Sequence, residues 1–198
     1  MQKSIAFFDF DGTITSTDSM LELAKFSSGK VAYLLGMALI SPWLVAMKAG
    51  IVSNAKAKEV LLTHFFGGTT TQAFAEKCQL FTEKVIPKLI KEDAMAAIIS
   101  HLKQNTTVVI VSASAENWIS PWCHSYGIQF ICSQLIVENN KITGKLKGNN
   151  CSGKEKVSRI KAIFNLADYS SIYCYGDTPE DEFMLGLATK SYYRFFEK

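Results

Sequence analysis

Apolar residues gather along this chain in two rhythms. Near the start, Ile5-Ala6-Phe7-Phe8 is an unbroken apolar run, short and aromatic, which reads as a buried strand ending in Asp9-Phe10-Asp11-Gly12-Thr13. Thr107-Val108-Val109-Ile110-Val111, Ile128 to Cys132 and Ile172-Tyr173-Cys174-Tyr175 repeat that signature, and Tyr192 to Phe196 supplies a last strand. Between the first two runs the spacing is helical, with no strand pattern across residues 15–85. Asp18-Ser19 caps a helix from Met20 to about Phe26, and Asn54 caps one carrying Val60, Leu61 and Leu62. Gly67-Gly68 ends the latter, and Thr69-Thr70-Thr71 opens another through Phe74, Cys78 and Phe81. Further helices are predicted from Lys91 to Lys103, through Trp118 and Trp122 to Gly127, from Lys154 to Phe164 and from Pro179 to Leu187. Leu135 to Lys147 alternates around Asn139-Asn140 and reads as a β-hairpin.

Strands alternating with helices predict an α/β fold: a doubly wound, Rossmann-like parallel sheet with an all-helical cap inserted after the first strand. The expected division is a core of residues 1–14 and 88–198 and a helical cap of residues 15–87. One stretch of the insert stands apart. Val31 to Met47 carries no charge, has Lys30 and Lys48 at its borders, and is interrupted by Gly36 and Pro42. At seventeen residues it is at the lower limit for a membrane-spanning helix. A buried helical hairpin breaking near Ser41-Pro42 is expected; the other reading is a surface that touches lipid or binds an apolar substrate.

Composition narrows the function. The 198 residues suffice for one core and an insertion, and 48% hydrophobic with 20% charged residues describes a globular protein. A net charge of +3 without a dense Lys/Arg block argues against a nucleic-acid partner. The five cysteines are odd in number and lack C-x-x-C spacing, so neither a disulfide framework nor a zinc site is expected. The first residues run directly into a strand without a basic-then-apolar leader, so a reducing, cytoplasmic setting is expected. Oligomeric state leaves no signature.

The chemistry concentrates at strand ends. Side chains alternate along a strand, so Asp9 and Asp11 leave the first one on the same side, and Gly12 lets the backbone turn sharply behind them. Two carboxylates converging where a buried strand emerges are costly without a cation. Open parallel sheets bind ligands at such ends. Ser112, after the second strand, offers a hydroxyl and following N–H groups to a phosphate oxygen. Asp177 lies in the turn of Gly176-Asp177-Thr178-Pro179-Glu180-Asp181 with Asp181 one helical turn on, so both can face a hard cation with Asp9. Lys156, or else Lys154, is the natural counter-charge.

The set DFDGT, VIVSAS, Lys156 and YGDTPED, in that order, resembles the haloacid dehalogenase-like phosphohydrolases over essentially the whole chain. The insert after the first motif and the pattern C-x-G-x-x-K-V (Cys151, Gly153, Lys156, Val157) are similar to subfamily IB, the phosphoserine phosphatase branch. That resemblance implies Mg²⁺-dependent hydrolysis of a small phosphomonoester through an aspartyl-phosphate. Asp9 would be the nucleophile. Asp11 would be general acid and then base, its backbone carbonyl touching the metal, and Thr13 would fix the loop. Ser112 and the Ala113 N–H would hold phosphoryl oxygens, and Lys156 would neutralise charge. Asp177 would bind Mg²⁺ with Asp9, while Asp181 orients that shell or joins it. Asp18 occupies the position of a glutamate that meets the substrate amine in phosphoserine phosphatases. The arginine those enzymes use for the substrate carboxylate has no counterpart, since residues 15–90 contain none, and Lys56 or Lys58 is not an equivalent fork. Amino-alcohol phosphates therefore stand beside phosphoserine as expected substrates. A lipid-headgroup phosphate is the alternative, because the apolar stretch resembles the insert of bacterial phosphatidylglycerophosphate phosphatases. A non-catalytic phosphate-binding module is the third reading.

Overall fold

A computed structural model describes residues 3–197. Among these, β1 (Ser4–Phe8) is the centre of a parallel sheet, flanked by β2 (Thr107–Ala115) and β6 (Ser171–Gly176). β3 (Gln129–Ser133) lies outside β2, and β7 (Lys190–Tyr193) outside β6, giving the order β3-β2-β1-β6-β7. Register is set by apolar pairs, with Phe7 opposite Val109 on one side and Cys174 on the other. Alternate residues feed two cores. Ile5, Phe7, Val109, Val111 and Cys174 pack under Ile160 of α8 (Lys154–Ile163) and Met184 of α9 (Glu182–Leu185). Ala6, Phe8, Val108 and Ile110 face α6 (Glu92–Lys103) and α7 (Glu116–Ser125), in a core that runs on into the insert. Burial on both faces is why these strands read as continuous apolar runs.

Between β1 and α6 the chain forms α1 (Ser19–Ser28), α2 (Lys30–Lys48), α3 (Asn54–Phe66), α4 (Thr71–Lys84) and the single turn α5 (Ile86–Leu89). Asp18 caps α1 by accepting from the Leu21 N–H at 3.0 Å. Ser53, rather than the expected Asn54, caps α3, because its hydroxyl reaches the Lys56 N–H. The two ends of the insert meet in a short antiparallel bridge, Thr15 opposite Ile90. The hairpin of β4 (Leu135–Glu138) and β5 (Lys141–Leu146) turns through Asn139 and Asn140, both in the left-handed region. It hydrogen-bonds to the insert, Ile142 N–H to Thr69 O at 2.8 Å and Gly68 N–H to Ile142 O at 2.8 Å. All five cysteines are free and buried.

Three expectations are corrected. The stretch 31–47 is one continuous helix with Pro42 inside it, not a hairpin. Pro42 has no N–H for the Ala38 carbonyl, and the Ser41 hydroxyl donates to that carbonyl instead at 2.7 Å, so the helix survives. Nor is the stretch buried: of its residues only Gly36 and Ile40 are. The helix expected from Pro179 to Leu187 is a 3₁₀ turn, Pro179–Asp181, followed by the single turn α9. The last strand ends at Tyr193, because Arg194 turns left-handed, and Phe196 folds back to stack on Tyr175.

Candidate active site

At the carboxyl end of the sheet, β1 and β6 run side by side while the chain leaves them in opposite directions, the place where open α/β sheets take ligands. Asp9 follows β1, its N–H continuing the ladder to Tyr175 O at 2.9 Å. Its carboxylate is buried and accepts from the Lys156 ammonium at 2.5 Å. Lys156 enters from the first turn of α8, itself buried, and donates also to Asp181 Oδ1 at 2.7 Å. The other Asp181 oxygen accepts from the N–H groups of Asp177 and Thr178 and from the Thr178 hydroxyl, which ties the whole turn to one carboxylate. Asp177 accepts from the Thr13 hydroxyl at 2.7 Å, joining the two acidic loops. Gly12, with φ 86°, lies so close to Asp177 that any Cβ would collide with its carboxylate.

Asp9, Asp177 and Asp181 present oxygens all within 4.8 Å of one another. Burial drives the Asp9 carboxyl up to about 7 against the pull of Lys156, with Asp181 adding repulsion. Asp177 is also raised, chiefly by burial, while Asp181 is lowered because Lys156 and the Thr178 donors outweigh its burial. Burial pulls the Lys156 ammonium down, but Asp9 and Asp181 overcome it and hold it protonated. Three clustered carboxylates share one ammonium, which contacts only Asp9 and Asp181, so the cluster carries a surplus of negative charge. Clustered carboxylate oxygens with that surplus suit a hard divalent cation of the Mg²⁺ kind. The Asp11 side chain is not among the three.

A cavity of about 210 Å³ opens in front of these groups. Asp11 also lines it, accepting from the Ser114 hydroxyl at 2.5 Å and the Ser19 N–H at 2.6 Å, and the Trp118 indole N–H braces Ser19 at 2.9 Å. Ser112 and Ala113 line the same cavity; Ser112 Oγ accepts from the Ser114 N–H at 3.0 Å. A bulge between Ser112 and Ala115 in the pairing with β3 exposes this turn. From the insert come Asp18, Met20 and Lys58. Lys58 donates to Ala113 O at 3.0 Å and Asn150 Oδ1 at 3.3 Å, and burial pulls its ammonium below the usual range. Lys56 instead pairs with Glu59 at the surface, and Lys154 lies over the Phe183 ring, outside the cavity. A larger open hollow beside residues 161–167 holds no acidic group. Sequence reasoning missed Ser114, Ser19 and Trp118. Ser114 stands two residues after Ser112, so strand alternation pointed to it as it did to Asp9 and Asp11.

The family model of the haloacid dehalogenase-like hydrolases matches residues 6–185. The chain belongs to that family. It is 31% identical over 191 residues to the CicA protein of Caulobacter vibrioides, covering 96% of this chain and 85% of the relative. A probable phosphatase of Mycobacterium tuberculosis is 26% identical over 181 residues, 87% of this chain and 61% of that one. Among solved structures, a Bordetella pertussis protein of unknown function superposes with a TM-score of 0.86 at 20% identity, covering 96% and 89% of the two chains. A phosphoserine phosphatase carrying an analogue of its phospho-aspartyl intermediate superposes at 0.64, also at 20% identity, covering 96% and 86%. At that identity the likeness is one of fold. This hydrolase thus shares its fold with that phosphoserine phosphatase over nearly its whole length.

Proposed function

We propose that this hydrolase is a Mg²⁺-dependent phosphomonoesterase working through an aspartyl-phosphate, with residues 15–87 as a cap on a core of 1–14 and 88–198. The observation that carries the reading is the buried Asp9 carboxylate, bound to Lys156 and facing a cavity that Asp11 also lines. Asp9, Asp177 and Asp181 would hold Mg²⁺, with the Asp11 carbonyl; when bound, the ion neutralises phosphoryl charge and lets an anionic carboxylate approach an anionic ester.

Asp9 attacks phosphorus as the ester oxygen departs with the Asp11 proton, leaving alcohol, aspartyl-phosphate and an Asp11 carboxylate. That carboxylate then takes a proton from water, whose oxygen attacks phosphorus, and Asp9 is released with inorganic phosphate. Ser114 and Ser19 orient Asp11 for both transfers. Ser112 and the Ala113 N–H bind phosphoryl oxygens, and Lys156 balances their charge throughout. Asp18 sits on the substrate side of the cavity, and Lys58 beside it.

The test is turnover of p-nitrophenyl phosphate with Mg²⁺, with chelator, and in Asp9→Asn. We expect chelator to abolish turnover reversibly and Asp9→Asn to lower kcat by about a thousandfold or more. Full activity in that variant excludes the covalent route.

A further inference from the structure

Helix α2 is a surface helix whose outer side is apolar from end to end. Val31, Leu35, Leu39 and Val45 are 72%, 64%, 71% and 66% exposed, and Leu34 and Trp43 are exposed beside them. Surface helices ordinarily carry charge on that side, and a helix apolar all round is ordinarily buried. The inner side is already taken. Gly36 lies against His64 and Phe65 of α3, Ile40 is buried, and Met37, Leu44 and Met47 wall a groove of about 290 Å³. This groove adjoins the catalytic cavity, sharing Asp18, Met20, Lys58, Ala113 and Glu180 as walls. A phosphate held at Asp9 would thus have an apolar channel leading away from it.

We infer, resting on the phosphatase reading, that the substrate is a lipid phosphomonoester taken from a bilayer on which the outer side of α2 lies. Two features favour a bilayer. Lys30 and Lys48 cap the apolar stretch at its two ends, exposed, where they can reach headgroup phosphates while the helix between them enters the acyl boundary. And the groove offers an apolar ester a route from that boundary to the cavity. α2 lies flat rather than crossing, because its inner side is packed on α1 and α3, which a spanning helix would have to leave. A second copy fits less well: pairing two such helices about a twofold axis, parallel or antiparallel, sets lysine against lysine at both ends.

The test uses the full-length protein, wild type and the double variant Leu35→Glu/Leu39→Glu, whose positions face neither cavity. Both are sedimented with phosphatidylcholine vesicles containing about a third phosphatidylglycerol. Both are also assayed on p-nitrophenyl phosphate and on n-alkyl phosphates of increasing length. We expect wild type to pellet with vesicles and the variant to bind at least about tenfold less, at equal p-nitrophenyl phosphate turnover. KM should fall by roughly two- to fourfold per added methylene until the groove is full. Wild type remaining in the supernatant, or KM indifferent to chain length, overturns the inference. So does a dimer by light scattering that the double variant disperses, for then a second copy covers α2. If no phosphate ester is turned over at all, the phosphatase reading itself fails, and vesicle binding still reports on α2 separately.

Discussion

The acidic cavity and the outer side of α2 break the same rule in opposite directions. At Asp9, Asp181 and Lys156 the chain buries charge; along Val31, Leu35 and Leu39 it exposes hydrocarbon. Either inversion is unfavourable alone. In the cavity the compensation is partly internal: Lys156 joins two carboxylates, Thr13 holds a third, and the proposed divalent ion would complete the balance. On α2 no described residue covers the outer side, and the contact inferred for it is with a surface outside the chain. A misplaced charge therefore points to chemistry within the fold, whereas misplaced hydrocarbon points to a surface beyond it.

The contrast can be broken first at Lys156. Lys156→Met leaves Asp9 and Asp181 buried without their shared counter-charge, which should cost about 3–5 kcal/mol of stability, read as a lower urea midpoint in chelator. Mg²⁺ should recover part of the loss by binding the folded state alone. An unchanged midpoint would mean that the triad is not compensated as drawn. On the other side, Gly36→Leu intrudes where even a Cβ would stand 2.6 Å from His64 Nε2 and 2.8 Å from the Phe65 ring. Overpacking there should cost about 1–3 kcal/mol and lift α2 off α3, raising hydrophobic-dye binding. Equal dye binding would mean that the contact gives way without moving the helix.

The smallest effect belongs to a buried group of neither region. His101, beneath β6 at 3.0 Å from the Tyr175 hydroxyl, is lowered from its ordinary 6.5 by burial. A depressed folded value favours the neutral ring, so its contribution is present above pH 6.5 and lost as pH falls through the folded value. Wild type should lose stability in that window relative to His101→Gln, measured as urea midpoints against pH; parallel curves would remove His101 as the cause.

Much of this was legible in the chain because the signals were local. β1, β2 and β6 read as strands because burial on both faces leaves no polar position to confuse the period, and Asp9, Asp177 and Asp181 read as an acid group because each ends such a run or its turn. The clamp on Asp11 was missed because it joins Ser19, Ser114 and Trp118, which only the folded sheet brings together. Lys58 could not be told from Lys56 until the insert's orientation fixed which one faces inward. The stretch 31–47 misled for another reason: an apolar composition is the same whether a helix is wrapped by protein or turned to a solvent it dislikes. Pro42 misled further, since the rule that proline breaks a helix assumes nothing else satisfies the orphaned carbonyl, and Ser41 does.

The β4–β5 hairpin grows from the catalytic half of the chain yet is laced to Gly68, Thr69 and Thr71 by backbone hydrogen bonds. It is also separate from the main sheet. The inserted helices consequently have an outrigger: any rocking about the paired neck at Thr15 and Ile90 would have to carry these two strands along or unlace them, and their base is itself clasped by the Lys147 N–H on Gln134 O at 2.8 Å.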